Sequence, residues 1–538
     1  MLQEVTDANY VIVSNSAEVI SIVCSGKDQA WITGHLASLS KLLESAVLSD
    51  YVPLHDILRP ILEKMFECLP QVDDDAAPSP EISTFQQWAE NIVGTLNKAD
   101  KPLGARDRLQ GPLFVLQCYV KARPDKLELM NVSITKLITR LARECTSNSI
   151  NTPAYENALR SVLSILGLCK PRLAELKDQR RNYLSAISHL IENSGSAQLC
   201  RYILDMLREW ILEHKDSVPS SREKAGLLQK LTTWETRGDE VSKLYNDYLG
   251  LLLDIFEDDS LDRSDLTNRL EGPFLLGTRC SDPKLRHRFI DMLEQSLPYD
   301  ISGRLRYILV GQNWEHVKGT YWMALATDLL IGCIQANQPV SGIMEIDAKK
   351  EETDEVTFQL DNKVLLSSLR RLLHLDHAAA DAIWHKFFRE CWITLPRPQQ
   401  INAQRWTLGL LTKEYHMEQL EQKPNVVQTL LGGVLACGHN FLLPPFVVKY
   451  LGKTYNAWHI ALEIVGRDME LVETDELRDA CADALTELYA ELGEEDLFYG
   501  LWRRRCLHEE TNAAIALEQN GLWPRAQEMY ELAQGRVK

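Results

Sequence analysis

The chain has 538 residues, 45% hydrophobic and 25% charged, so disorder of the whole is excluded. A net charge of −18 sets it against phosphate backbones and argues against direct nucleic-acid binding. Twelve scattered cysteines without a CxxC pair exclude a zinc module and point to a reducing intracellular compartment.

The N-terminal residues MLQEVTDANYVIVSNS lack a basic region ahead of their apolar run, so no signal peptide is expected. From there apolar residues recur at spacings of three and four to the far end, and no alternating run predicts a strand. Residues 71–83 (QVDDDAAPSPEIS) read as an acidic, proline-bearing connector. Further breaks are expected at 215–221, 396–400 and Pro444-Pro445. Two clusters of cations stand out: Lys170, Arg172, Lys177, Arg180 and Arg181, then Arg279, Lys284, Arg286 and Arg288. Such runs ordinarily mark solvated helix faces, and in so acidic a chain they are also the candidates for docking an acidic partner. The acid-rich residues 254–265 lack the alternating oxygens and central glycine of a calcium loop.

Residues 304–330 read as two helices around a break spelled Gly311-Gln312-Asn313-Trp314. The second helix places Trp314, Val317, Tyr321, Leu325, Leu329 and Cys333 on one stripe, the pattern of a seam between packed helices. Residues 339–362 contain MEIDAKKEETDEVTFQLDN, too charged to bury, and read as a solvated loop projecting from one face. Leu365, Leu366, Leu369, Leu372 and Leu373 then start a stripe that continues to Ile383 and Phe387.

His374, His377, Asp381 and His385 fall within about 80° of one helical stripe, but the outer pair lie about 16 Å apart, too far to share one ion. They read as polar-face histidines, and no metal or cofactor site is assigned. Residues 424–448 carry no charge, yet Asn425, Gln428, His439, Asn440, Gly432-Gly433 and Pro444-Pro445 rule out a membrane span and leave a buried helix followed by a loop. Gly452-Lys453-Thr454 resembles the end of a phosphate-binding loop, but Val447 replaces the required first glycine. Leu477, Cys481, Ala484, Leu488 and Leu492 make another helix, capped by Thr474 or Asp475 and closed by Gly493. At the end Gly521, Trp523, Ala526, Tyr530 and Ala533, with Ala514 and Leu517 before them, follow tetratricopeptide spacing, with aromatics expected to fill the groove between two close helices. Exposed apolar surface is expected where this stack stops. No HExxH, Gly-x-Ser-x-Gly, His-Arg-Asp or Asp-Phe-Gly occurs, so no catalysis is expected.

Several stretches carry more than periodicity. Gln312-Asn313-Trp314-Glu315, with Tyr321-Trp322 and Asp328-Leu329-Leu330, resembles the transformation/transcription domain-associated protein family, the pseudokinase branch of the phosphatidylinositol-3-kinase-like kinases. Residues 270–275 (LEGPFL), 282–289 (DPKLRHRF), His374-Leu375-Asp376, Trp384 and 387–392 agree with it, whereas Thr320 and Met323 depart from its wording. Residues 449–459 (KYLGKTYNAWH) are similar to the opening of its FAT region. The resemblance implies an all-α fold, an α-solenoid of irregular HEAT-like helical pairs over 1–420 passing into tetratricopeptide-like FAT repeats over 421–538. It implies an internal fragment that stops before the kinase-like domain. The implied role is a nuclear, non-catalytic coactivator scaffold recruiting histone acetyltransferase complexes of the SAGA and NuA-four kinds to DNA-bound activators. Its partners would be transcription activators and acetyltransferase-complex subunits, through protein–protein contacts with no nucleic acid or membrane. The alternative is the regulatory HEAT/FAT solenoid of an active kinase of the same superfamily. A nuclear-transport or phosphatase-scaffold HEAT protein would need more regular repeats of about 40 residues.

Overall fold

The computed structural model describes residues 9–70, 79–98, 109–147, 152–213, 218–261, 264–317, 319–337, 343–348 and 356–537. They form an all-α chain that divides into two compact units, Met1–Phe274 and Leu275–Lys538.

In the first unit most helices bury one apolar stripe, whereas the Gln110–Ala122 helix is buried nearly all round. Leu127, Ile134, Leu137, Ile138, Leu141 and Cys145 of the Asp125–Ser147 helix are all buried, at the three- and four-residue spacing that periodicity requires. Capping sets the starts: Thr152 accepts from the Tyr155 amide at 3.2 Å, and Ser220 with Glu223 forms a full capping box. A single stripe needs a partner, and the helices meet this by stacking in two layers. One layer runs Val52–Glu67, Gln110–Ala122, Pro153–Cys169, Ala197–Arg208, Asp239–Phe256; in the other the Asp125–Ser147, Arg180–Asn193, Ser221–Leu231 and Asp265–Arg269 helices follow one another. Each helix thus touches its counterpart in the next pair, which is the packing of an α-solenoid.

Tryptophans fasten successive pairs. The Trp210 indole donates to the Lys170 carbonyl at 3.1 Å, and Trp234 donates to Ile191 O at 3.0 Å, each closing a helix end of the pair before it. Gly111 brings the Gln110–Ala122 helix against the end of the Leu36–Val47 helix, where any Cβ would lie 2.6 Å from the Val47 carbonyl oxygen. His55 donates from Nε2 to that same carbonyl at 3.1 Å and stacks on Phe114.

Burial pushes His55 from 6.5 down to about 4, so the folded protein keeps it neutral where the unfolded chain is protonated. Its contribution is therefore full above pH 6.5 and lost as pH falls towards 4, by about 3 kcal/mol. Urea unfolding of His55→Leu should show a shallower decline than the native chain across that window. Parallel curves would exclude His55 as the titrating group.

The second unit repeats the layered arrangement. The Tyr321–Asn337, His377–Thr394, Val426–Ala436 and Trp458–Leu471 helices pack in succession. Gly432 and Gly433 let the Val426–Ala436 helix lie close against the His377–Thr394 helix, since a Cβ there would meet His385 Nε2 at 2.1 Å or Trp384 Nε1 at 2.7 Å. The uncharged stretch is a buried helix, then a 3-10 turn, and Pro444-Pro445 begins the Pro445–Thr454 helix. Among the described residues no helix is long and apolar enough to cross a membrane.

Several expectations need correction. Residues 339–362 are not a plain loop: Ile343–Ala348 pairs antiparallel with Val356–Asp361, Ile343 opposite Asp361. Alternating Val356, Phe358 and Leu360 supply the strand preference that the neighbouring charges obscured. The Pro80–Gly94 helix starts inside the expected 71–83 connector, because Ser79 accepts from the Ile82 amide and Pro80 suits a first turn; residues 71–78 lie outside the described residues. Residues 397–400 are likewise the first turn of a helix, with Pro396 as its cap. Trp314 and Val317 lie ahead of the Tyr321–Asn337 helix rather than within it, although both are buried. Trp384 and Phe388, one residue on from Ile383 and Phe387, are buried in the His377–Thr394 helix together with Ala380, Cys391 and Trp392, and of the five preceding leucines Leu373 alone is fully buried. At the end Gly521 takes φ +72° and Ala514, Ala526 and Ala533 are buried between the last two helices, as the spacing implied. Trp523, however, is 60% exposed, and Tyr530 reaches Glu518 by its hydroxyl rather than filling the groove.

Candidate partner-binding surfaces

The first cation cluster is built where the Pro153–Cys169 helix ends at Pro171. A 3-10 segment, Leu173–Gln179, buries Leu173 and Leu176, turns sharply at Lys177 (φ 44°), and feeds the Arg180–Asn193 helix. The cations therefore leave in different directions. Lys170 pairs with Glu209, Lys177 pairs with Glu128, and Arg180 meets Glu223 at 3.3 Å. Arg172 sits by Glu175, whose carboxyl is pushed up by burial against the opposing effect of that arginine. Arg181 remains exposed and faces Arg222 across a cleft of about 570 Å³. Three of the five thus tie neighbouring helices together, as expected where 76 acids surround 58 cations.

The second cluster winds around the start of the Pro283–Ser296 helix. Asp282 accepts from the Lys284 amide at 2.8 Å, and Arg286 folds back to donate to the Cys280 carbonyl at 2.9 Å. Lys284 and Arg288 are exposed and Arg279 is half-buried. Arg222, Lys136 and Arg143 were missed by sequence reasoning. A signal existed for the last two: Lys136, Arg140 and Arg143 recur at i, i+4 and i+7 on one helix face.

The four-residue histidine stripe does not exist as one helix, because the chain breaks at Asp376 between the Asn362–Leu375 and His377–Thr394 helices. His374 turns inward and lies 2.8 Å from the Tyr321 hydroxyl, which donates to Thr278 O at 2.5 Å. His385 is 3.4 Å from Asp381, which also accepts from Thr429 at 2.7 Å. The His377 side chain lies outside the described residues.

Beside His374 runs a buried ion network. Arg370 donates to Asp328 through Nε at 2.8 Å and through a terminal nitrogen at 3.1 Å, and to Glu294 at 2.8 Å. Burial alone would raise the Asp328 carboxyl; His374 beside it, at 3.9 Å, and the hydrogen bonds and charge of Arg370 outweigh burial and hold Asp328 below its usual value. Gly332 makes room, since a Cβ there would fall 1.9 Å from the Glu294 carboxylate.

The break after Val310 walls a cleft of about 920 Å³, shared by Gly311, Asn313, Arg405, Trp406, Lys413 and Tyr415. Burial, assisted by Glu315, pushes Tyr415 up to about 12. Elsewhere burial pushes the Cys118, Cys145 and Cys169 thiols up to about 12, which keeps them protonated and unreactive. The surfaces described thus offer charge and shape for binding.

A family model described as the Tra1 HEAT repeat ring region matches residues 1–437. The SAGA complex/NuA4 acetyltransferase complex subunit Tra1 of Schizosaccharomyces pombe is 28% identical, covering 99% of this chain and 16% of that protein. The corresponding subunit TRA1 of Saccharomyces cerevisiae is 29% identical over 97% of the chain and 15% of its own length. The transformation/transcription domain-associated protein of Homo sapiens is 24% identical over 100% of the chain and 17% of its length. The chain thus spans about one-sixth of the length of these curated relatives.

Proposed function

Because the chain belongs to the Tra1 HEAT repeat ring family, we propose that it is a non-catalytic scaffold segment of a nuclear transcription coactivator, one that joins histone acetyltransferase complexes to DNA-bound activators. The observation that carries this reading is alignment over nearly the whole chain with relatives named as acetyltransferase-complex subunits. Stacked helices with paired, immobilised charges and inert thiols suit a rigid support for protein contacts. Residues 421–538 would open a FAT region. The end of the ring-region match at 437 and the alanine-packed final helices favour a change of repeat type in this stretch.

Of the nine candidate cations, Arg181 and Lys284 are the best placed for an acidic activator, being exposed and outside the ion pairs described above. Arg222 joins Arg181 in its cleft. Fluorescence anisotropy with an acidic activation-domain peptide should saturate at low micromolar protein and weaken as salt rises. Arg181→Ala with Arg222→Ala should lower affinity roughly two- to thirtyfold, the range for two exposed charge contacts of about 0.2–1 kcal/mol each. Unchanged binding in the double variant would move the docking site elsewhere on the chain.

A further inference from the structure

Two helices of the first unit leave a charged cleft between them, and we propose that it binds a phosphorylated segment of a partner protein. The Asp125–Ser147 and Arg180–Asn193 helices lie side by side in one layer and enclose about 700 Å³. Lys136, Arg140 and Arg143 line one wall over about 10 Å of helix, and Gln179, Asn182 and Ser185 line the other over about 9 Å. None of the described lining residues is a carboxylate, in a chain whose net charge is −18.

The cations here differ from those that tie the layers together. Arg140 leans on Glu144 at 3.4 Å, but Lys136 and Arg143 are exposed and find no ion-pair partner among the described residues. His189 also lines the cleft, with both ring nitrogens engaged by neighbouring side chains. Asn193 donates to its Nδ1 at 3.1 Å, so its Nε2 donates to the Thr146 hydroxyl at 3.3 Å, and Thr146 donates to the Arg143 carbonyl at 2.9 Å. That chain of bonds holds the Arg143 end of the wall. Thr135 lines the cleft with a hydroxyl that is 98% buried by residue and has no hydrogen-bond partner among the described residues. Asn182 donates to Gln179 at 3.1 Å, which leaves the Gln179 amide group and the Ser185 hydroxyl to donate into the cleft.

A phosphoryl group suits these two walls better than a carboxylate does. It carries nearly two charges and three acceptor oxygens, so it can engage a cation on one wall and a neutral donor on the other together. Two phosphoserines three residues apart in a polyproline II segment lie on one face about 9 Å apart, close to the separation of about 10 Å between Lys136 and Arg143 along the helix.

The test uses the whole 538-residue chain and a fluorescein-labelled neutral peptide bearing two phosphoserines three residues apart. Saturable binding is expected, about tenfold tighter than that of the same peptide with glutamates, and absent for the unmodified peptide. Lys136→Ala with Arg143→Ala should weaken it about tenfold with an unchanged circular dichroism spectrum, and Asn182→Asp, which adds a repelling carboxylate at an exposed wall position, should weaken it likewise. Arg181→Ala with Arg222→Ala should leave it intact, which separates this cleft from the proposed activator site. Equal binding of the glutamate peptide, retention by both cleft variants, or stronger binding of inorganic tripolyphosphate than of the phosphopeptide would overturn the proposal.

Discussion

Arg370→Ala should lower the unfolding free energy of the second unit by about 3–5 kcal/mol, the cost of stripping one partner from a buried ion pair. Asp328 is 1% exposed and receives two bonds from Arg370, so the variant leaves a carboxylate out of water with His374 as its remaining described partner. Glu294 loses its bond to Arg370 as well. The pH dependence follows from the direction of the Asp328 shift. Its folded carboxyl is held low, so its contribution is present above about pH 4, where the unfolded chain is ionised, and is lost as pH falls through the folded value. In the variant, burial dominates and favours the protonated acid, so the gap between native and variant should narrow as pH falls towards 4. Urea unfolding at stepped pH measures both. A loss below about 1 kcal/mol, or a gap independent of pH, would mean that Asp328 does not depend on Arg370. Replacing Arg370 and Asp328 together by leucines should restore most of the loss, since desolvated charge rather than lost attraction is the main cost.

Trp314→Ala should cost a further measure of about 3–5 kcal/mol, as large-to-small changes of buried aromatics do. The indole is 1% exposed, stacks on Trp322 at 5.1 Å between ring centres, and donates to the Ile308 carbonyl at 2.8 Å. That carbonyl lies in the π-helical turn Tyr307–Gly311, where the regular ladder fails and a side-chain donor takes its place. Trp314→Phe keeps most of the packing and loses the donor, so it should cost about 1–3 kcal/mol. Hydrogen exchange over 301–337 would identify which unfolding transition carries the change. If both variants unfold with the native chain, the break between these helices is held by something other than Trp314.

These two sites mark how far the residues alone could be read. Three- and four-residue periodicity located the helices from end to end, because each must bury a stripe whatever it packs against. Gly493 was legible as a helix end, since its φ of +74° admits glycine freely and other residues rarely. The wording from Gln312 to Glu315 identified the family, and the ring-region match extends that identification back to residue 1. Periodicity failed where the backbone left the α-helix. Trp314 and Val317 keep the spacing of the helix after them, so pattern assigned them to it, yet a 3-10 turn and a bend place them outside. Trp384 and Phe388 show a related ambiguity: Ile383 and Phe387 obey the same spacing one residue earlier, and only the position of the neighbouring helix chooses between the stripes.

The site residues were less legible for a plain electrostatic reason. Cations close in sequence predicted a basic surface, but Lys170, Lys177 and Arg180 lie on segments pointing to different neighbours, each of which offers a glutamate. Cations far apart, such as Arg181 and Arg222, share one cleft instead. The sequence by itself determined the all-α class, the family and the absence of familiar catalytic motifs, because these rest on local periodicity and on short runs of residues. The tertiary structure alone decided which charges are spent between helices and which face solvent, because ion pairing depends on distances between helices some 40 to 50 residues apart in the chain.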